Sequence, residues 1–323
     1  MGGEVWISGA SGFFGAHLVR GFARSGWRVT ALCRGASDTR RLDRLLAGGP
    51  EVNRLLLDLQ DQEAVETALD REPPEVLVHA AAYGVDHRQQ EVATALSFNA
   101  VATAFLVDAA ARNRVGRFLH IGTAAEYGDA AGLDGPVDEE SLPRPAHHYG
   151  ISKLAGTLLA LGRARAAGLP LAVVRPFGMY GPLEGEHKFV PQVLRACLSR
   201  TPLPLTEGTQ IRDYCYVEDV VDASLRLAAA DPFPDQEIIN LGSARPLTLR
   251  ALGESAAAVV GNGTDMLQWG RLPMRQNEVP RIVCNADKAR RLLNWQATTS
   301  LESGLEATLH FEKERPGWQG AVS

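Results

Sequence analysis

The hydrophobic positions of this 323-residue chain fall into two textures. Through the first half, short apolar runs alternate with longer amphipathic stretches: Val5 to Ser8, Val29 to Cys33, Leu55 to Leu57, Val76 to His79, Phe118 to Gly122 and Leu171 to Arg175. Runs this short, separated by helix-length segments, predict strands covered on both faces, as a parallel sheet requires. Between them, Gly12 to Arg24, Asp61 to Leu69, Val92 to Ala111 and His148 to Ala167 predict crossover helices. Repeated strand–helix–strand units imply an α/β fold, a Rossmann-type doubly wound parallel sheet. After Arg175 the chain is punctuated by Pro and Gly, with helices predicted at Pro191 to Ser199, Val217 to Ala229, Leu249 to Val260, Ala286 to Leu293 and Leu301 to Phe311. Residues 1–177 with about 214–242 are expected to form the sheet domain. Residues 178–213 and 243–323 are expected to form a smaller, mostly helical lobe across the C-terminal edge of the strands. The polar, acidic stretch Asp129 to Pro145 reads as a surface loop, either a plain connector or one flank of a site.

Composition narrows the classes. At 45% hydrophobic, 22% charged and net charge −5, the chain is ordinary for a globular protein and has no basic bias toward nucleic acid or an anionic membrane. The cysteines Cys33, Cys197, Cys215 and Cys284 are widely spaced and form no Cys-x-x-Cys or Cys/His group. They read as reduced thiols in a cytoplasmic protein, with no metal site expected. The first strand begins almost at Met1, which leaves no room for a signal peptide, and no apolar run reaches the length of a membrane span.

Three groups of residues carry candidate chemistry. Directly after the first strand comes Gly9-Ala10-Ser11-Gly12-Phe13-Phe14-Gly15, which opens the first helix. Glycines there allow a tight turn and close approach of backbone to a pyrophosphate, whose charge is met by N–H groups at the helix N-terminus. A dinucleotide site follows from that context. The second strand ends at Cys33 without the acid that would bind a ribose 2′-hydroxyl, and Arg34 follows. A guanidinium suits a 2′-phosphate, so NADP(H) is favoured over NAD(H). The competing reading is that Arg34, with Arg40, Arg41 and Arg44, belongs to a solvated helix. Asp58-Leu59, after the third strand, could face the adenine. Finally, Tyr149 and Lys153 stand four apart on a predicted helix, where the ammonium can lie near the phenol and lower its pKa from about 10. With six tyrosines and four lysines in the chain, such a pair is unexpected by chance.

Together these residues resemble the extended short-chain dehydrogenase/reductases, specifically the NAD(P)-dependent epimerase/dehydratase branch that modifies nucleotide sugars. The resemblance spans essentially the whole chain. It continues in His79-Ala80-Ala81-Ala82, Asn99, Thr123 through Tyr127-Gly128, Arg175-Pro176-Phe177, Arg212-Asp213-Tyr214, Asn240-Leu241-Gly242 and Arg275-x-x-Glu278. It implies that Tyr149 is the acid/base, that Thr123 holds the reacting sugar oxygen, and that Lys153 binds ribose and tunes the tyrosine. It implies cofactor contacts from Gly9, Ser11, Gly12, Phe13, Phe14, Gly15, Arg34, Asp58, Leu59, Ala80, Ala81, Ala82, Asn99 and Pro176. Substrate contacts are implied for Tyr83, Thr123, Ala124, Ala125, Phe177, Gly178, Arg212 and Arg275, with the two arginines on the nucleotide diphosphate. A homodimer through Val92 to Ala111 and His148 to Ala167 is also implied.

The departures from that pattern redirect the reading. Where the 4,6-dehydratases of the branch carry Asp-Glu after the threonine, this chain has Ala124-Ala125, and neither alanine can move a proton. Gly178 replaces an asparagine that touches the sugar diphosphate in many members. The ending Glu126-Tyr127-Gly128 resembles that of 4-keto-6-deoxyhexose reductases. The expected function is therefore NADP(H)-dependent reduction of a nucleotide-linked 4-keto-6-deoxy sugar at C4. A nucleotide-sugar 4-epimerase that retains its cofactor is the alternative, and a non-catalytic cofactor-binding protein is disfavoured because both Tyr149 and Lys153 are kept.

Overall fold

Seven parallel strands form the central sheet of the computed structural model, which describes residues 2–86, 88–128, 135–261, 263–274 and 278–314. Six of them are β1 (Glu4–Ser8), β2 (Arg28–Cys33), β3 (Asn53–Leu56), β4 (Val76–His79), β5 (Arg117–Ile121) and β6 (Leu171–Pro176). The lobe contributes β7 (Gly178–Tyr180), β8 (Leu203–Pro204) and β9 (Ile211–Tyr216) before β10 (Ile238–Leu241) returns to the sheet beside β6. The spatial order is β10-β6-β5-β4-β1-β2-β3. The chain runs outward from β1 through β2 and β3, then crosses back to β4 on the other side of β1. In such sheets a crevice opens above the carboxyl ends of the strands where the order reverses. Register brings both sides level: Ser8 pairs with Leu32 on one side and with His79 on the other.

Helices cover both faces because the strands are apolar on both. Against one face pack α1 (Phe13–Arg24), α2 (Arg40–Leu46), α8 (Val217–Ala229) and α10 (Asp287–Leu293), around Ile7, Leu18, Phe22, Val221 and Trp295. Against the other pack α3 (Gln62–Arg71), α5 (Ala102–Arg112) and α6 (His148–Ala167), around Trp6, Leu69, Leu106, Phe118 and Ala160. Local signals set the ends: the Asp61 carboxylate accepts from Ala64 N at 3.0 Å to start α3, and Gly168 at φ +69° ends α6.

The predicted helix at Val92 to Ala111 is three pieces: α4 (Val92–Leu96), a π-helical turn (Ser97–Val101) and α5. The wider turn changes the phase of the helix and carries Asn99 into the interior, where it is fully buried. Contrary to the expectation from composition, Val92–Arg112 is long and apolar enough to cross a membrane, by length and composition alone. Half of that stretch is buried in the fold, and it packs on α6.

The smaller lobe gathers α7 (Phe189–Ser199), α9 (Leu249–Val260) and α11 (Leu301–Lys313) around Val193, Leu194, Leu252 and Leu305. It is less helical than expected. A four-stranded sheet joins β7, β9, β11 (Pro246–Thr248) and β13 (Arg281–Ile282), and β12 (Leu267–Gln268) pairs with β8. Apart from β9 these strands are two or three residues long, too short for alternation to register in the sequence. In the acidic loop, whose residues 129–134 lie outside those described, Val137 N donates to Val283 O at 2.7 Å and the Glu139 carboxylate accepts from Asn240 N at 2.7 Å.

Candidate active site

A cavity of about 620 Å³ lies above the ends of β1 and β4, within the size range of ligand pockets. Its floor is the glycine turn. Gly12 N donates to Gly9 O at 2.9 Å, and Gly12 is the N-cap of α1, whose first turn has no acidic residue. The helix N-terminus therefore presents free N–H groups and positive potential to the cavity. Gly15 packs so closely that a Cβ there would lie 2.0 Å from Gly9 O. This cradle fits a dinucleotide pyrophosphate, with Ser11, Phe13 and Phe14 on its rim and Ala80, Ala81 and Ala82 opposite.

The adenosine end is walled by Leu32, Leu57, Leu59 and Phe98, with Arg34, Ser37 and Arg41 beside them. Arg34 is exposed, and its guanidinium lies 5.8 Å from the centre of the Phe98 ring. Arg41 donates to Ser11 O at 3.0 Å and to Leu183 O at 2.8 Å, tying the glycine turn to the lobe. Of Asp58 and Leu59, only Leu59 faces the cavity. Asp58, two residues past the end of β3, is turned to solvent and accepts from Gln60 N at 3.0 Å.

At the other end Thr123, Tyr149 and Lys153 converge, with Ile121, Gly122, Pro176 and Phe177. Thr123 caps a short 3₁₀ turn, Ala124–Glu126, in a reciprocal arrangement. Its Oγ1 accepts from Ala125 N at 3.2 Å, while the Glu126 carboxylate accepts from Thr123 N at 3.0 Å. The Thr123 hydroxyl and the Tyr149 phenol line the same corner of the cavity. Tyr149 and Lys153 are one helical turn apart on α6, as the spacing predicted.

Their electrostatics differ from the expectation. The Lys153 Nζ donates to Ile121 O at 2.7 Å, and burial pulls its pKa down to about 8. Burial pushes the Tyr149 phenol up to about 12, a shift the neighbouring Thr123 hydroxyl only partly opposes. In this state the lysine does not lower the tyrosine. The low-dielectric setting that both share disfavours each charged form, so both move toward neutrality.

Several predicted residues stand elsewhere. Asn99 spends its amide on the Tyr83 backbone, accepting from Tyr83 N and donating to Tyr83 O, both at 2.8 Å, and it donates to Ser152 Oγ at 2.9 Å. It fixes the loop after β4 rather than lining the cavity, and the Tyr83 side chain packs with the α5/α6 core. Ala124 is buried against Tyr127 and Phe177, while Ala125 presents its carbonyl to Gly150 of α6. Gly178 is pressed on β9: a Cβ there would lie 2.7 Å from Asp213 O, which leaves no room for a larger residue. Arg212 is held by Glu278 at 2.5 Å and is not among the cavity residues. Arg275 lies outside the described residues.

One further wall carries no motif in the sequence. Val85, Asp86 and Gln89 from the loop after β4, Met179 from β7, and Glu184, His187 and Lys188 from the loop before α7 close the cavity. Lys188 Nζ donates to Val85 O at 3.0 Å and joins the two loops. Arg88 beside Asp86 holds that carboxyl well below the usual range, whereas burial raises Glu184 to about 8. The basic pair His187-Lys188 just ahead of a helix was the available signal. Among the described residues no group of three or more His, Cys, Asp or Glu could hold a metal ion.

A Rossmann-type sheet whose switch-point crevice joins a dinucleotide cradle to a Thr/Tyr/Lys corner places this chain among the short-chain dehydrogenase/reductase folds. The chain belongs to the NAD dependent epimerase/dehydratase family, which matches residues 5–242, and so to the nucleotide-sugar-modifying enzymes of that family. It is 29% identical over 336 residues to dTDP-glucose 4,6-dehydratase from Streptomyces niveus, covering 98% of this chain and 94% of that protein. It resembles MoeE5 in complex with UDP-glucuronic acid and NAD, with 29% identity, TM-score 0.83 and coverage of 97% and 99%. The fold is shared with dTDP-glucose 4,6-dehydratase from Bacillus anthracis in complex with NAD, at TM-score 0.86, 21% identity and 98% of each chain.

Proposed function

We propose that this chain is an NADP(H)-dependent reductase of a nucleotide-linked 4-keto-6-deoxy sugar, acting at C4. One observation carries the reading: the turn after Thr123 offers no proton-moving side chain to the cavity, while Tyr149 beside Thr123 retains its proton. Ala124 and Ala125 fill the two positions after the threonine. The next residue, Glu126, is fully buried and paired with Arg175, Nη2 to Oε2 at 2.8 Å. On a 3₁₀ turn one residue is a third of a rotation, so the carboxylate at 126 faces inward and cannot substitute for an acid at 124 or 125.

When bound, the reduced nicotinamide supplies the hydride. Thr123 orients the ketone oxygen. As hydride adds to C4, the carbonyl π electrons move to that oxygen and the Tyr149 phenol gives it a proton, forming the alcohol. The phenolate then regains its proton from solvent. Buried Lys153 and the Thr123 hydroxyl keep the phenol in place, and the apolar Phe177 and Met179 wall keeps water from the reacting carbon. Arg34, Ser37 and Arg41 would hold a 2′-phosphate.

The second reading is a 4-epimerase that keeps NAD(P). It uses the same corner, and the likeness to a protein that binds UDP-glucuronic acid and NAD favours it. The test is NADPH oxidation by purified protein across dTDP- and UDP-linked 4-keto-6-deoxy sugars. Net oxidation, lost in Tyr149→Phe by about 10²- to 10⁴-fold, supports reduction. Sugar conversion without net oxidation shifts the assignment to the epimerase, and formation of a 4-keto-6-deoxy product from dTDP-glucose overturns the proposal.

A further inference from the structure

Behind the reacting corner lies a buried charge that the proposed chemistry does not use. Glu126 is fully buried, and every hydrogen bond to its carboxylate comes from a residue at or behind the corner. Oε1 accepts from Thr123 N at 3.0 Å and from Thr157 Oγ1 of α6 at 3.1 Å. Oε2 accepts from Arg175 Nε at 2.9 Å and Nη2 at 2.8 Å. Arg175 in turn stacks 4.6 Å over the Tyr127 ring, whose hydroxyl donates to Asn240 at 2.7 Å. An isolated buried carboxylate would be costly; with four donors around it, this one is satisfied and rigid.

We infer that Glu126 is a positioning residue for the reacting centre: anchored by Arg175 on β6 and Thr157 on α6, it fixes the Thr123 backbone and so sets where the Thr123 hydroxyl meets Tyr149. The proposal rests on the assignment of Thr123, Tyr149 and Lys153 as the reacting corner. The same carboxylate is the charge that favours the Lys153 ammonium against burial and disfavours a Tyr149 phenolate. The groups around it are Arg175 from β6, Lys153, Tyr149 and Thr157 from α6, and Tyr127 from its own turn. His79 and His120, buried under Lys153, are kept neutral by burial and by the lysine charge. Lost charge at 126 therefore lowers both the tyrosine and the lysine pKa.

The test uses Glu126→Gln, which keeps the shape and loses the charge, and Glu126→Asp, which keeps the charge and shortens the arm. With dTDP-4-keto-6-deoxyglucose and NADPH, Glu126→Gln should lower kcat by about 10- to 100-fold with KM and NADPH affinity little changed. Its alkaline fall in kcat/KM should begin at lower pH. Glu126→Asp should restore the wild-type alkaline limb while kcat stays low. Two results overturn the inference: unchanged kcat and limb in Glu126→Gln, or equal loss in both variants with the limb unmoved, the signature of a merely structural residue. A crystal structure of Glu126→Gln with NADPH decides independently of turnover, since an unmoved Thr123 hydroxyl also overturns it. Tyr149→Phe run alongside separates the two readings: activity retained there sinks the corner assignment, whereas activity lost there with Glu126→Gln fully active sinks only the role of Glu126.

Discussion

Replacing Arg34 by aspartate should exchange the cofactor preference. Arg34 opens the turn after β2, is exposed, and stands 5.8 Å from the Phe98 ring with Ser37 and Arg41 on the same wall. A guanidinium on a phosphate makes charge-assisted hydrogen bonds worth about 1.5 to 3 kcal/mol. Exposure argues for the lower figure, about 1.5 kcal/mol, or roughly tenfold in Kd. An aspartate adds repulsion of about 1 kcal/mol near 4 Å in water-like surroundings, so NADPH binding should weaken by roughly 70-fold in all. NADH has no 2′-phosphate, and the new carboxylate can accept from its ribose hydroxyl. Its affinity should hold or improve. Fluorescence titration or calorimetry at 0.15 M salt with both cofactors, on Arg34→Asp and Arg34→Ala, measures this. Equal weakening of NADPH and NADH would refute the 2′-phosphate role and leave Arg34 as a solvated side chain over Phe98.

Two further outcomes follow from packing. Gly15→Ala puts a methyl 2.0 Å from Gly9 O, so the glycine turn must open; cofactor binding by calorimetry should be lost, and retained affinity would show that the turn is not the pyrophosphate cradle. On the α4–α6 face, Val101 is 58% and Leu158 60% exposed, an apolar surface suited to a second copy. Light scattering should find a dimer at micromolar concentration that Leu158→Glu converts to monomer, and a monomeric parent protein would discard the dimer.

The legible parts of this site were those fixed by short-range geometry. Tyr149 and Lys153 line one cavity because a helix puts residues four apart on one face, and the glycine turn is legible because strand, turn and helix are consecutive in the chain. The residues that stand away from the cavity share a physical form. Arg212 pairs with Glu278, 66 positions away, a partner invisible to local pattern. Asn99 is rotated into the interior by a π-helical turn, a change of helical phase that no residue pattern announces. Thr123-x-x-Glu126 has the spacing of a capping box, a local signal that the motif ending Glu126-Tyr127-Gly128 does not by itself convey. The wall made by Glu184, His187 and Lys188 lies on a loop between elements, where no periodicity says which side chains face inward.

The protonation state of Tyr149 bears on the direction of the chemistry. The pair was expected to lower the phenol toward neutrality, but the Lys153 ammonium is turned to the Ile121 carbonyl, burial dominates, and the phenol stands at about 12. Glu126 pushes the same way. At neutral pH the tyrosine therefore carries its proton, which is the form that a ketone needs and an alcohol cannot use. Reduction should then show no rise between pH 6 and 9, because the donor is already loaded across that range; it should fall first as the Lys153 ammonium titrates near 8 and again as the phenol titrates. Oxidation of a sugar alcohol, the opening step of an epimerase, should instead rise with pH, since the phenol must first give up its proton. Oxidised nicotinamide carries a positive ring charge that eases that loss, and the reduced ring does not. The pH profile in the two directions thus measures the same quantity from both sides: a reduction rate that climbs tenfold between pH 6 and 9 would mean that Tyr149 is not the proton donor.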